Sequence, residues 1–532
     1  MTSEQGGRSS HQNQQSGQRD QSGQPGNSGG VKRRDAAGRE RNRSTGRNRT
    51  DTAPGQRTRV ADPARLVAFE VLRAVSGDDA YANLVLPTRI RRHGLDRRDA
   101  GFATELTYGA LRAQGTYDAI LAKCVDRPLS ELDPAILDAL RIGAHQLMAM
   151  RVPTHAALDQ TVGLARAVIG AGPSGLVNAV LRKVAAKELP QWLEELTEGL
   201  TDEVKIASIE HSHPEWIVRA MRQALVAHGR DISEITALLE ADNQAPVVNL
   251  VALPGLGDLS EAFEAGFTPG ELVADSALSS GGDLSRLESV RDGSVRVQDA
   301  GSQLVARALA AVEIATDLGA TDGDEGEERW LDLCAGPGGK AALLAALAAQ
   351  KGAWILANEP SAHRAKLVSQ ALGAVPEDTW TVRTGDGRDI GREHPDAFDR
   401  ILVDAPCTGL GALRRRPESR WRRQLSDVGE LGRLQRELLD SALAAVKPGG
   451  VVAYVTCSPH VAETIAVVDD SLRKRDDVEL LDAGSVLDSV SLSGNLHAGN
   501  ATSTIPGHEK MAQLWPHIHH SDAMFLALIR KN

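Results

Sequence analysis

Two of the four cysteines stand where a thiol can react. Cys407 lies in 404-DAPCTGLG-411 and Cys457 in 456-TCSPH-460. Each follows a predicted strand, with Pro, Gly and Thr around it rather than the apolar neighbours of a packed thiol. A thiolate in such a place can act as a nucleophile. Zinc binding is the competing use, but there is no CxxC pair and only His460 is near. Cys124, on a helical stretch with Leu121, reads as a small buried hydrophobe. Cys334 sits in a glycine turn, 332-DLCAGPGGKA-341, as a structural or ligand-lining residue. That turn is not a Walker loop, because Cys334 and Ala341 stand where Gly and Ser or Thr are needed. Gly336-x-Gly338-x-x-Ala341 does satisfy the relaxed dinucleotide fingerprint, in which bare backbone approaches a ligand at a helix N-terminus. Glu359 ends the next strand, where a carboxylate can take ribose hydroxyls, and Asp386 and Asp404 follow the third and fourth strands. Three acids at the carboxyl ends of neighbouring strands mark the place where open α/β sheets bind ligands. The alternative for each acid is a helix cap or a loop salt bridge.

The elements that must position these groups alternate along the second half of the chain. Candidate strands are 330–334, 353–359, 380–386, 399–406 and 450–457. Helical patterns occupy 340–350, 361–372 and 430–446, the last with Leu431, Leu434, Leu438 and Ala442 on one face and Pro448-Gly449-Gly450 as its stop. Alternation of this kind implies an α/β fold with a mostly parallel, doubly wound sheet over residues 296–532. Strands four and five can be neighbours in such a sheet, so both thiols can face one cleft. Residues 61–190 are helical throughout: Val67, Val71 and Val75 form one stripe, and 102–112 and 133–150 repeat the pattern. They read as an all-α bundle. Residues 191–295 read as a connector, helical at first with Trp192 and Trp216, then a small α+β part opened by a strand at 247–253.

Of 532 residues, 41% are hydrophobic and 25% charged, an ordinary globular balance. No apolar run approaches the ~20 residues of a membrane span, and the start of the chain lacks a secretory apolar segment. Four cysteines fit a reducing, cytoplasmic setting. The net charge of −11 is unevenly spread. Residues 1–60 carry twelve Lys/Arg against five Asp/Glu, a net +7 that leaves −18 elsewhere. This arm is too poor in large apolar groups to fold and is expected to be disordered, either an RNA contact or a solubilising tail. Residues 313–329, acidic and Gly-rich, read as a solvated loop.

The sequence resembles the RsmB-type (Sun/Fmu) ribosomal RNA cytosine-5 methyltransferases. The resemblance is carried by 331-LDLCAGPGGK-340, 404-DAPCTGLGALRRRPESRW-421, 454-YVTCSPH-460, 514-LWPHIHHSDAMFLALIRK-531 and 297-VQDAGSQLVA-306. Through 101-GFATELTYGALR-112 and 175-GLVNAVLRKV-184 the helical part resembles a NusB-like RNA-binding domain. The resemblance implies a Rossmann-like fold binding S-adenosylmethionine (SAM) and methyl transfer to carbon 5 of a cytosine in 16S ribosomal RNA. It implies Cys457 as the nucleophile on carbon 6 and Cys407 as the residue that assists release. It implies that Cys334, Ala335, Gly336, Pro337, Gly338, Gly339, Lys340, Glu359, Asp386 and Asp404 bind SAM, with Lys340 and Asp404 also near the base. The sequence departs from the family where Gly336 replaces Ala and Ala341 replaces Thr, changes expected to leave the loop unaltered. It departs again after Cys457, where only Glu463 remains of an acidic stretch. The Pro406-Cys407 pair also resembles the nucleophile motif of DNA cytosine methyltransferases, which would reverse the two thiols' roles.

The run 414-RRRPESRWRR-423 holds six Arg and one acid. It is either a solvated face or, following Cys407 directly, a phosphate contact. Arg414, Arg415, Arg416 and Arg420 are expected to meet RNA, with Trp421 stacking on a base or covering the core. No metal is expected, the cluster His517, His519 and His520 lacking converging Cys or carboxylates. The protein is read as a monomer. A non-catalytic RNA-binding scaffold and a dinucleotide-dependent enzyme are the competing classes. The first has no use for an intact glycine loop and two cysteines, and SAM against NAD binding separates the second.

Overall fold

The computed structural model describes residues 61–279, 281–315, 327–499 and 507–532. The expectations for 1–60 and for most of the 313–329 loop lie outside these residues.

The first layer is helical. It comprises α1 (Pro63–Gly77), α2 (Ala82–His93), α3 (Arg97–Arg112), α4 (Gln114–Cys124), α5 (Pro134–Met148), α6 (Thr154–Val168), α7 (Ala171–Val184) and α8 (Leu189–Thr197). Their starts are written in the sequence. Asp62 accepts the Arg65 amide ahead of Pro63, and Asp133 accepts the Ala135 amide around Pro134, satisfying donors that a helix N-terminus leaves free. Val67, Val71 and Val75 are buried as one stripe. Trp192 closes the bundle, donating its indole N–H to Val184 O at 3.0 Å. Three further helices, α9 (Glu203–Glu210), α10 (Glu215–Ala227) and α11 (Ile235–Asp242), pack instead around Leu410, Leu413 and Trp515.

A four-stranded antiparallel sheet follows. Its strands are β1 (Val248–Ala252), β2 (Thr268–Pro269), β3 (Ser276–Ser279) and β4 (Val295–Val297), in the order β2-β3-β1-β4. Between them lie α12 (Ser260–Glu264) and α13 (Glu288–Arg291).

The α/β half opens with α14 (Ala300–Ala311). It continues β5 (Arg329–Asp332), α15 (Gly339–Gln350), β6 (Trp354–Glu359), α16 (Ala362–Ala371), β7 (Trp380–Thr384), α17 (Ile390–Glu393), β8 (Phe398–Asp404), α18 (Ser419–Arg422), α19 (Leu425–Ala445) and β9 (Val446–Thr456). It closes with α20 (Ile465–Leu472), β10 (Val478–Leu481), α21 (Ala483–Val490), β11 (Ala512–Gln513), α22 (Pro516–His519) and β12 (Phe525–Lys531). The sheet runs β10-β12-β9-β8-β5-β6-β7, with β11 beside β12. Strands β5 to β9 are parallel and β12 is antiparallel to β9. Neighbouring residues face opposite layers, as the two-residue period of a strand requires. Trp330, Ile355, Leu402 and Ala453 pack with α14 and α15, while Leu331, Ile401, Val403 and Val452 pack with α19 and α20. The strand order reverses at β5, and the carboxyl ends of β5, β6 and β8 border the resulting crevice.

The expected boundaries of the long helix and the strand after it differ: α19 starts at Leu425 and β9 at Val446. Helix α19 ends at Ala445, and Pro448-Gly449-Gly450 lies inside β9. There the pairing shifts from Phe398↔Val446 to Arg400↔Val451. The extra residues form an irregularity of the strand rather than a helix stop. Among the described residues, no helix is long and apolar enough to cross a membrane.

Candidate active site

The loop from β5 into α15 forms one wall. Cys334 donates its amide to Asp332 Oδ1 at 3.3 Å, and Ala335 donates to Asn358 O at 2.9 Å. Glu359 closes β6 and is buried, with Oε1 accepting the Ser361 amide at 3.0 Å. Its Oε2 lies 3.4 Å from Arg364, which also donates to Gly336 O at 2.6 Å. The absence of a side chain at 336 matters here: a Cβ would sit 2.2 Å from Glu359 Oε2. Ala at this position would need the flexible ends of Glu359 and Arg364 to shift. Asp332, which sequence reasoning passed over, is buried at the floor. Its Oδ2 has no hydrogen-bond partner among the described residues, and burial pushes its carboxyl up to about 7. Burial, followed by the charges of Asp332, Asp404 and Glu359, holds the Cys334 thiol well above its ordinary value. Asp386 caps the turn at 387–389 and pairs with Arg388 at 2.6 Å, which holds its carboxyl below the usual range.

The opposite wall carries the thiols. Asp404, ending β8, accepts Lys340 Nζ at 2.9 Å. Burial by itself would lower the Lys340 ammonium, but Asp404, Cys457 and Asp332 together outweigh it and raise the amine above its ordinary value. Cys407 Sγ and Cys457 Sγ are 3.4 Å apart. The hydrogen bond from Cys407, supported by the Lys340 charge, holds Cys457 below the ordinary thiol value despite burial. The same bond, then burial and the charges of Cys457 and Glu463, raise Cys407 well above it. The two adjacent thiols are thus unequal, with Cys457 the one favoured to lose its proton.

A buried carboxylate spans both thiol loops. Glu463 accepts the Thr408 amide at 2.8 Å, the Thr408 hydroxyl at 2.5 Å and the Ser458 hydroxyl at 2.6 Å. Thr408 and Ser458 each follow one of the cysteines. Gln435 adds a bond to Pro406 O at 2.8 Å. Gly411 brings the Cys407 loop against Cys457, its amide donating to Cys457 O at 2.9 Å. A Cβ on Gly411 would lie 2.3 Å from Ala523 O, so that approach needs glycine. The sequence signal for this network was a hydroxyl residue after each cysteine.

The basic run is the main correction. Arg414 is buried, donating to His520 O at 3.2 Å, and Arg415 pairs with Asp299 and Asp522. Arg420 is fully buried. It donates to Asn243 Oδ1 at 2.8 Å, Ser212 O at 3.0 Å and Arg112 O at 3.3 Å. Trp421 packs on α4, where a Cβ at Gly115 would lie 2.4 Å from its ring. Arg422 donates to Val75 O at 2.9 Å, and Glu418 accepts the Ala82 amide at 3.0 Å. Glu418, Arg420, Trp421 and Arg422 fasten this half to the helical layer. Arg414 and Arg420 are committed to protein partners, while Arg415, Trp421 and Arg422 are half-buried. Only Arg416 of the five proposed contacts is exposed. His517 pairs with Glu234 at 2.9 Å, and His519 bonds Leu496 O at 2.8 Å. Among the described residues, no group of three or more His, Cys, Asp or Glu is arranged to hold a metal ion.

Comparison with known proteins agrees with this geometry. Residues 322–530 match the family model described as 16S rRNA methyltransferase RsmB/F, and residues 62–186 match the NusB family. A Mycobacterium tuberculosis protein named putative methyltransferase is 47% identical over 489 residues, covering 91% of this chain and 99% of the relative. A Synechocystis protein named probable ribosomal RNA small subunit methyltransferase B is 30% identical, covering 88% and 99%. The crystal structure of PH0851 shares the fold, with TM-score 0.70 at 20% identity over 89% of this chain and 99% of its own. The chain thus belongs to the RsmB/F family of 16S rRNA methyltransferases and carries an N-terminal NusB-family domain.

Proposed function

We propose that the protein transfers a methyl group from SAM to carbon 5 of a cytosine in 16S rRNA, through a bond between Cys457 and carbon 6. The observation that carries this reading is the pair of thiols 3.4 Å apart beside the Lys340–Asp404 pair. The crevice suits SAM. Its loop is bare at Gly336, buried Glu359 can meet ribose hydroxyls, and Asp332 offers a carboxylate oxygen with no partner among the described residues. Bound SAM would supply an electrophilic methyl group.

Cytosine carbon 5 is too weak a nucleophile to take that group unaided. Addition of the Cys457 thiolate to carbon 6 places an electron pair on carbon 5, splitting one hard step into easier ones. Lys340 keeps the thiolate populated, and Asp404 lies where it can bond the pyrimidine edge. After methylation the carbon-5 proton passes to solvent water, its bonding pair re-forms the carbon 5–carbon 6 double bond, and the carbon 6–sulfur bond breaks with Cys457 leaving as thiolate. Cys407, held as the thiol 3.4 Å away, assists by donating its S–H to the departing sulfur. The base must be single-stranded or flipped out to reach the cleft.

The test is transfer of labelled methyl from SAM to unmodified 16S rRNA by wild type, Cys457→Ala and Cys407→Ala, with denaturing gels. Both variants should lose turnover, and only Cys407→Ala should retain a covalent RNA adduct. An adduct retained only by Cys457→Ala would reverse the roles. A wild type that binds the RNA without methylating it would leave the scaffold reading.

A further inference from the structure

With Arg414 and Arg420 buried and Arg415 half-buried against Asp299 and Asp522, further cations are needed to meet RNA. The corner where α2 ends and α3 begins is the strongest candidate. Arg91, Arg92, Arg97 and Arg98 are all exposed there, and none has an ion pair among the described residues. Two of them have a structural reason to be present: cations in the last turn of α2 complement the helix dipole. Arg97 and Arg98 have none. They open α3, where the dipole disfavours positive charge. The acids near the corner do not balance it. Asp96 caps α3, Asp99 lies in its first turn, and Glu70 is engaged with Arg89 at 3.4 Å and His93 at 3.2 Å. Asp283, which feels the Arg91 charge, sits beside exposed Arg286.

This corner is joined to the cleft. Arg423 donates to Thr408 O, next to Cys407, at 3.2 Å. Arg416 and Arg422 lie over the Tyr81 ring, 5.0 and 5.1 Å from its centre, and Tyr81 precedes α2. The outward face of α2 then presents Leu84, Pro87, Thr88, Arg91 and Arg92. Its 12 residues span ~18 Å, the length of about five phosphates on one strand at ~3.4 Å each.

We infer that the outward face of α2 and the first turn of α3, through Arg91, Arg92, Arg97 and Arg98, carry the phosphate backbone of the RNA whose target base enters at Cys457. This rests on the reading that the substrate is RNA. A polyanion relieves the mutual repulsion of four guanidiniums, and counterion release supplies the affinity.

The experiment compares binding of an unmodified 16S rRNA transcript by the full chain and three variants. One reverses the corner with Arg91→Glu, Arg92→Glu, Arg97→Glu and Arg98→Glu. A second uses Gln at all four positions and keeps the surface neutral should the reversal misfold. The control reverses exposed Arg166 and Arg182 on α6 and α7. The Gln variant should bind at least tenfold more weakly at 0.1 M salt, and its log Kd against log salt slope should fall by about three. Its kcat at saturating RNA and its SAM affinity should stay within twofold. Unchanged binding by the Gln variant, or equal weakening by the control, overturns the inference. So does normal binding of naked transcript with poor methylation of protein-bearing particles, which would turn this face toward an acidic protein. A wild type that binds transcript without methylating it defeats the proposed function, while the same Kd comparison still decides the surface.

Discussion

Glu463 shows how one side chain can set the geometry of two. It carries no bond to either sulfur, yet its carboxylate accepts from the residue following each cysteine. Its charge also raises Cys407 without being the first cause of that shift. Glu463→Gln replaces an acceptor with a donor facing two hydroxyls and an amide. The two thiol loops should separate, and a displacement of about 1 Å at a reacting pair costs on the order of 10²-fold in rate. Single-turnover methyl transfer should show that loss while calorimetric SAM affinity is unchanged. A full-rate variant would show that strands β8 and β9 fix the thiols without help. The sequence made Glu463 visible only as a residue left over from an acidic stretch. Three of its four side-chain bonds depend on residues 28 to 55 positions away.

At the scale of elements, the crevice exists because β5 hands the chain to α15 through a loop with almost no side chains. The strands were legible because each is a short apolar run whose alternate residues face α14–α15 or α19–α20. The closeness of the loop to its neighbour strand was not legible. A Cβ at 336 would meet the ends of two flexible side chains, Glu359 of β6 and Arg364, a neighbourhood the sequence does not display. Glu359→Ala should weaken SAM binding about tenfold or more, because the carboxylate expected to meet the ribose is removed. Isothermal titration checks this, and unchanged affinity would remove Glu359 from the cofactor site. The Pro448-Gly449-Gly450 stop failed for a related reason. Its turn residues serve a register shift inside β9, imposed by pairing with β8.

Across the whole molecule, the segment 414–423 joins what the sequence divides. Arg420 enters a pocket formed by Arg112, Ser212, Asp242 and Asn243, and burial lowers its guanidinium to about 10. Beside it Asp242 is fully buried, neither carboxylate oxygen has a hydrogen bond among the described residues, and burial pushes it up to about 7. The linkage has a definite sign. A carboxyl raised from 3.8 to about 7 on folding makes the folded state bind the extra proton. Its contribution to stability is complete at low pH and is lost as pH rises through about 7. Asp242→Asn, which mimics the protonated form, removes that dependence. The variant should melt above wild type at pH 8, by several degrees on the order of 2–4 °C per kcal/mol, and the gap should narrow toward pH 5. Calorimetry across that range checks it, and a gap independent of pH would show that Asp242 is already ionised in the fold.

The sequence by itself determined the elements and the chemistry they carry. Helical stripes, strand runs, a glycine turn, strand-end acids and two cysteines after successive strands are local patterns, and local patterns follow from side-chain period and turn chemistry. It also fixed that β8 and β9 could present both thiols to one cleft. The tertiary structure decided what each charge is for. Six arginines in ten residues read alike in sequence, because charge is visible there and burial is not. Folding placed Arg414 and Arg420 against protein carbonyls and acids from distant segments, and left Arg91, Arg92, Arg97 and Arg98 in solvent. An exposed cation is available to a polyanion, while a buried one is committed to the partners that offset its desolvation.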